Sequence, residues 1–216
     1  MRSEFVWRAG AIVALSFLAA RFVEAPPLVE PLWKAAGIIL LGLSAALAGA
    51  FLPALALFSS AAGDFFLELS PPLWIAGMAA FAIAHGFYIA AFLGRIRRGG
   101  RLARRWTVAL AVCAVSIAML VWFLPDMGPL AAPGIAYHFI LTLMVVLSLL
   151  APVPHIAPIG AVAFLASDFL IALGLYKGLG PYPIAIWLIY AASQILLAKG
   201  LSVSSTAGEN HLLAQR

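Results

Sequence analysis

The sequence has few charged residues and a single cysteine. Only 10% of its 216 residues are charged, whereas 65% are hydrophobic and the mean hydropathy is +1.09. Soluble domains carry about 25% charged residues, so this composition excludes a water-soluble globule. The lone Cys113 excludes a disulfide framework and a cysteine metal site. Because the sequence also lacks a metal-ligand cluster, a phosphate-binding loop and a nucleotide motif, we expect no metal and no cofactor.

Long apolar runs are abundant. A membrane-spanning helix needs about 20 apolar residues, and runs bounded by charge, proline or glycine reach this length repeatedly. The predicted spans are residues 5–23, 31–49, 51–69, 73–94, 104–124, 129–150, 156–175 and 182–201. The sequence therefore predicts an all-α integral membrane protein, a single domain over residues 1–216 with eight transmembrane helices and short turns.

The cations predict the orientation, because short cytoplasmic loops are enriched in lysine and arginine. With the N-terminus inside, ten of the thirteen Lys and Arg residues fall on the cytoplasmic side, and six of them lie in the 95–105 loop. Both termini are therefore expected in the cytoplasm. The 95–105 cluster has no aromatic or motif context typical of nucleic-acid binding, so a topology signal with contact to anionic membrane lipid is favoured and no nucleic-acid partner is expected. An alternative interpretation takes the N-terminus as a signal peptide cleaved after Ala25.

Two acidic residues lie deep inside predicted spans. Asp64 is in helix three and Asp168 in helix seven, each about twelve residues into its span. A carboxylate at this depth costs several kcal/mol unless it faces a polar cavity, so both are candidate functional residues; the alternative is a protonated carboxyl that joins two helices by a hydrogen bond. Their surroundings also match: a small residue, Asp, Phe, then two large apolar residues, 104 positions apart. This spacing predicts two parallel four-helix halves, about 1–101 and 102–216, with a site where they meet.

Other polar residues can be placed relative to these carboxyls. His85 shares a face of helix four with Tyr88, and Gln194 lies one turn from Tyr190 in helix eight. Lys34 lies near the outer start of helix two, where it either reaches the site or snorkels to the interface. Near Asp64, the spacing allows a hydrogen bond from Ser60, and Glu68 is expected to be a solvated residue at the helix end. His85 is equally compatible with a structural hydrogen bond inside the bundle.

Several segments together resemble the YhhN family, whose characterised members are lysoplasmalogenases. The segments are 59–64 (SSAAGD), 80–88 (AFAIAHGFY), 164–168 (FLASD) and 190–194 (YAASQ), together with Lys34 and the stretch 137–144. The resemblance covers essentially the whole chain. It departs from the family at one place, since the family's lysine in helix two is commonly followed by proline and Lys34 is followed by Ala35.

The resemblance implies hydrolysis of the sn-1 vinyl-ether bond of a lysoplasmalogen, a lysophospholipid, to a fatty aldehyde and a glycerophospho-headgroup in the bacterial inner membrane. The family's two aspartates map to Asp64 and Asp168. Two carboxyls in one low-dielectric site cannot both ionise at low cost, so one is expected to act as general acid and the other as carboxylate. Asp64 is favoured as the acid because the adjacent Gly63 permits close, dry packing. The candidate substrate-binding residues are Lys34, His85, Tyr88, Tyr137 and Gln194.

Other function classes remain open on the residues alone. An intramembrane aspartyl protease also uses two aspartates, but its Gly-x-Gly-Asp signature is absent because Ala61 stands where the first glycine is needed. A proton-coupled transporter suits parallel repeats with paired acids. A lipid-binding membrane protein without enzymatic activity is a further alternative. Aldehyde release distinguishes the hydrolase from the transporter, which takes up its substrate without chemistry.

Overall fold

The computed structural model describes residues 1–23, 26–98 and 105–213, without the side chains of Arg21 and residues 203–213. These ranges contain helices and no β-strand, and eight helical segments in them are long and apolar enough to cross a membrane. The main helices are α1 (Arg2–Ser16), α2 (Val29–Leu47), α3 (Phe51–Glu68), α4 (Trp74–Arg97), α5 (Trp106–Phe123), α6 (Ala131–Leu150), α7 (Ile156–Lys177) and α8 (Pro183–Leu213). The chain is therefore an all-α integral membrane protein, as the sequence predicted.

The predicted spans match the helices closely, with differences at both ends of the chain. α1 stops at Ser16, and the rest of the first predicted span is a 3₁₀ helix, Phe17–Phe22. α8 continues past the predicted end at residue 201 to Leu213. Parts of the sequence predictions lie outside the described residues: Glu24 and Ala25 of the alternative cleavage site, Arg101 and Arg104 of the cytoplasmic loop, the boundary between the predicted halves, and Arg216.

The helices form a closed bundle with one peripheral member. α1, α2 and α3 each pack against the next helix in the chain; α4 then packs on α6, α6 on α7 and α7 on α8. α8 closes the arrangement against α1, α2 and α3. α5 lies outside this ring, packs against α6 and α7, and is the least buried span in the described structure. α8 therefore contacts both α3 and α7, the two helices that carry the predicted aspartates.

Small residues allow the closest helix contacts. A side chain on Gly37 of α2 would overlap the backbone of Ala14 in α1, and a Cβ on Gly63 of α3 would lie 2.6 Å from the ring of Phe81 in α4. Without a hydrophobic driving force between helices in lipid, such close van der Waals packing is a main source of association. The Gly63 contact agrees with the expectation of close packing next to Asp64.

Candidate active site

α3 and α7 bring Asp64 and Asp168 to the wall of one cavity, whose volume is about 120 Å³. Asp64 is only 3% exposed, and Asp168 is partly buried. The same cavity is lined by Lys34, Tyr137 and Tyr190. Both aspartates predicted from their depth in the sequence thus face a shared space that contains polar groups, which is what a buried carboxyl requires.

Asp64 is held by a tyrosine from α8. The hydroxyl of Tyr190 donates to Asp64 Oδ2 at 2.6 Å, and the Tyr190 ring packs edge-on against Phe81 and Phe164. The candidate residues chosen from the sequence did not include Tyr190. Its signal was a stripe on one face of α8, because Trp187, Tyr190 and Gln194 follow one another at helical spacings of three and four.

Asp168 is held by a chain of donors that begins on α4. Tyr137 of α6 donates its hydroxyl to Asp168 Oδ2, and His85 Nε2 lies 3.2 Å from the same phenol oxygen. Because the phenol proton points to Asp168, its oxygen accepts from His85, which places the imidazole proton on Nε2. His85 is fully buried with its ring edge-on to Phe164. The donor order is therefore His85 to Tyr137 to Asp168.

Three of the five candidate substrate-binding residues lie behind the cavity wall. Tyr88 donates to Gln194 Oε1 at 2.9 Å, and both are fully buried. In the described structure neither they nor His85 lines the cavity, whereas Lys34 and Tyr137 do. His85 reaches the site through Tyr137, and Gln194 lies one helical turn from Tyr190. Among these three, His85 is therefore hydrogen-bonded to a tyrosine that lines the cavity.

Lys34 pairs with the glutamate one turn beyond Asp64. Lys34 Nζ lies 2.7 Å from Glu68 Oε2, and the two side chains are only 16% and 14% exposed. The expectation that Glu68 is a solvated end residue is therefore wrong, because the cation that pairs with it comes from α2, 34 residues earlier. The bond from Ser60 to Asp64 that the spacing allows does not form, since Ser60 Oγ has no hydrogen-bond partner among the described residues.

The rest of the cavity wall is largely apolar. Its apolar residues come from α3, α4 and α8 and, in the largest number, from α5 to α7, which supply Met119, Leu120, Phe123, Leu141, Leu165, Phe169, Ile171 and Leu175. Within the described residues, no group of three His, Cys, Asp or Glu side chains is placed to hold a metal ion. The site therefore combines two tyrosine-bound carboxyls and one ammonium group with an apolar wall, an arrangement suited to proton transfer on an amphiphile.

Tyr137→Phe is expected to lower the free energy of unfolding in detergent by about 1–2 kcal/mol. The substitution leaves both Asp168 and His85 Nε2 without their partner inside the bundle, and buried groups that lose a hydrogen bond carry a cost of this size. Tyr182→Phe is the matched control because Tyr182 is 44% exposed. Thermal unfolding should separate the two variants; equal stability would show that the bonds to Tyr137 contribute nothing.

Comparison with known proteins identifies relatives of the chain. The YhhN family matches residues 29–201. Over 140 residues the chain is 35% identical to the lysoplasmalogenases of Mycobacterium bovis and Mycobacterium tuberculosis, which covers 63% of this chain and 54% of each mycobacterial protein. The aligned part thus spans about half the length of these curated relatives. No solved structure matches the chain significantly.

Proposed function

Because the chain belongs to the YhhN family, we propose that it is a lysoplasmalogenase-like hydrolase of the bacterial inner membrane. It cleaves the sn-1 vinyl-ether bond of a lysoplasmalogen and releases a fatty aldehyde and a glycerophospho-headgroup. The observation that carries this proposal is the pair of carboxyls, Asp64 and Asp168, on the wall of one largely apolar cavity. The 35% identity to two lysoplasmalogenases supports the substrate class.

The chemistry requires one acid and one base. A protonated carboxyl transfers its proton to the β-carbon of the vinyl ether, the alkenyl carbon that is not attached to oxygen. This leaves an oxocarbenium ion. Water attacks the carbon attached to oxygen and gives its proton to the ionised carboxylate, forming a hemiacetal. In the collapse of the hemiacetal, its hydroxyl proton moves to the ether oxygen, which departs as the glycerol hydroxyl. The proton taken from water then returns to the acid through solvent and resets the pair.

The hydrogen bonds support Asp168 as the carboxylate and Asp64 as the acid. Asp168 accepts from Tyr137, whose oxygen in turn accepts from His85, and such a chain polarises each donor toward the anion at its end. Asp64 is almost completely buried, beside the close contact between Gly63 and Phe81. The drier position favours the neutral acid, because burial disfavours the charged form of a carboxyl.

The substrate would lie across the cavity with its two ends in different surroundings. Its hydrocarbon chain would lie against the apolar residues of α5 to α7, and its phosphate would meet Lys34, which lines the same cavity. Tyr137 contacts the reacting groups directly, whereas His85, Tyr88 and Gln194 act as positioning residues behind the two tyrosines. This division keeps the reacting bond next to both carboxyls and out of bulk water.

The architecture that we propose around this site is two parallel four-helix halves, about 1–101 and 102–216, with both termini in the cytoplasm. The meeting of Asp64 and Asp168 at one cavity supports the halves. The hydrogen-bond partners of the two aspartates differ between the halves. Tyr137, which donates to Asp168, corresponds in the repeat to Trp33, and Trp33 Nε1 donates to Ser16 Oγ rather than to Asp64. Such different environments allow one of the two matched aspartates to act as the acid and the other as the base.

The test is a substrate panel with purified protein in detergent. We expect aldehyde from a 1-alkenyl lysophospholipid and none from the matched 1-acyl and 1-alkyl lipids, because only the vinyl ether can form an oxocarbenium ion by protonation at carbon. Aldehyde should appear with equal amounts of glycerophospho-headgroup. Folded protein that yields no aldehyde from the alkenyl lipid, or that moves it into vesicles unchanged, would contradict the proposal.

A further inference from the structure

The ammonium group of Lys34 sits in a cage of one carboxylate and two aromatic rings. Its Nζ lies 2.7 Å from Glu68 Oε2, 5.8 Å from the ring centroid of Phe17 and 5.4 Å from that of Trp187. A cation within about 6 Å of an aromatic ring centroid is attracted by the negative face of the ring, and proteins use this attraction to bind quaternary ammonium ligands. We call Glu68, Phe17 and Trp187 the ammonium cage.

The two rings of the cage are held by contacts that do not involve the lysine. Trp187 Nε1 donates to the backbone oxygen of Ala14 at 2.8 Å, which fixes the indole of α8 against α1. The Phe17 ring packs edge-on against Trp187 at 4.9 Å and against Trp33 at 6.1 Å. Lys34, in contrast, reaches the cage on a flexible four-carbon stem. The two rings can therefore stay in place when the lysine leaves.

Resting on the proposed function, we propose that the ammonium cage binds the amine of a zwitterionic lysophospholipid headgroup, and that Lys34 occupies this position only while substrate is absent. When the headgroup enters, its ammonium takes the place of Nζ between Glu68 and the two rings. Lys34 then turns to the substrate phosphate. Glu68 thus pairs with the substrate ammonium in place of Lys34, and Lys34 pairs with the phosphate in place of Glu68. The glutamate and the lysine are both mostly buried, and an unpaired charge there would be costly.

The cage stands at the right distance from the reacting carboxyls. Glu68 follows Asp64 by four residues on α3, which is about 6 Å along the helix axis. Lys34 and Trp187 line the same cavity as both aspartates. The proposal therefore places the vinyl ether at Asp64, the phosphate at Lys34 and the amine at Glu68, which does not line the cavity itself but contacts Lys34, which does. The proposal makes Glu68 a specificity-determining residue for the headgroup.

A binding experiment tests this without any chemical step. The probes are 1-alkyl lysophosphatidylethanolamine and 1-alkyl lysophosphatidylglycerol, ethers without the double bond that differ in whether the headgroup has an amine. Binding to the full chain in detergent is measured by quenching of tryptophan fluorescence. We expect wild type to bind the ethanolamine lipid about tenfold more tightly, and Glu68→Gln to bind the two lipids within about twofold of each other.

Asp126→Asn is the matched control. Asp126 also pairs with a lysine, Lys177, whose ammonium group lies over the ring of Trp122. Neither Asp126 nor Lys177 lines the cavity. This variant should keep the wild-type preference. Equal affinity of wild type for the two lipids overturns the proposal even where Glu68→Gln does not fold, and so does a preference that survives in folded Glu68→Gln. Aldehyde release from alkenyl lipids is scored separately, so failure of the proposed reaction is distinguished from failure of the cage.

Discussion

Asp64→Asn and Asp168→Asn are each expected to lower kcat for aldehyde release by about 10³-fold, within the range of general acid–base effects. Asparagine keeps the size of the side chain and still offers an oxygen to Tyr190 or Tyr137, but it can neither transfer a proton to carbon nor accept one from water. The losses should be strongly non-additive in the double variant, because the two groups act in one proton cycle. The measurement is the steady-state rate with a 1-alkenyl lysophospholipid in detergent.

The control for these variants is Asp126→Asn, which removes a carboxylate outside the cavity and should leave kcat unchanged. Thermal unfolding of each variant separates loss of chemistry from loss of folding. If folded Asp64→Asn kept the wild-type rate, the two-carboxyl scheme would fail. Asp64 would then have only the structural role of joining two helices through a hydrogen bond.

Gly37→Val is expected to lower the free energy of unfolding by about 3 kcal/mol, at the upper end of overpacking effects. The new side chain would overlap the backbone of Ala14 in α1, and backbone cannot swing away as a side-chain end can. The helices must therefore separate. Because Lys34 lies one turn before Gly37 on α2, activity on an amphiphilic substrate should fall as well.

Gly94→Val makes the same change at a position of α4 where a Cβ would meet nothing within 4 Å. It should alter stability by less than about 0.5 kcal/mol. Thermal unfolding in one detergent compares the two variants directly. Equal stability of Gly37→Val and Gly94→Val would contradict the close α1–α2 contact.

Much of the fold could be predicted from the sequence because a bilayer imposes a simple length rule. Apolar runs of about 20 residues placed the eight spans, and only their ends differed. The change to 3₁₀ geometry at Phe17–Phe22 carries no comparable signal. The sequence also did not predict that α4 packs against α6 while α5 lies outside the ring of helices, because hydropathy does not specify which helices are neighbours.

The candidate site was also predicted only in part from the sequence. Asp64 and Asp168 stand out because charge is costly at their depth. The tyrosines that hold them depend on how α6 and α8 are rotated toward α7 and α3, which spacing within one helix does not determine. The pairing of Lys34 with Glu68 was missed for the same reason, since it joins α2 to α3.

The central claim is that the cavity carboxyls hydrolyse a vinyl ether by protonating carbon, and isotope labelling tests this most directly. Wild-type protein is incubated with a 1-alkenyl lysophospholipid in D₂O and, separately, in H₂¹⁸O, and the aldehyde is reduced as it forms. The account predicts one deuterium on the carbon next to the aldehyde group and a glycerophospho-headgroup without ¹⁸O. Product without that deuterium would contradict protonation at carbon. ¹⁸O in the headgroup hydroxyl would contradict the account as well, because water would then have attacked the glycerol side of the bond.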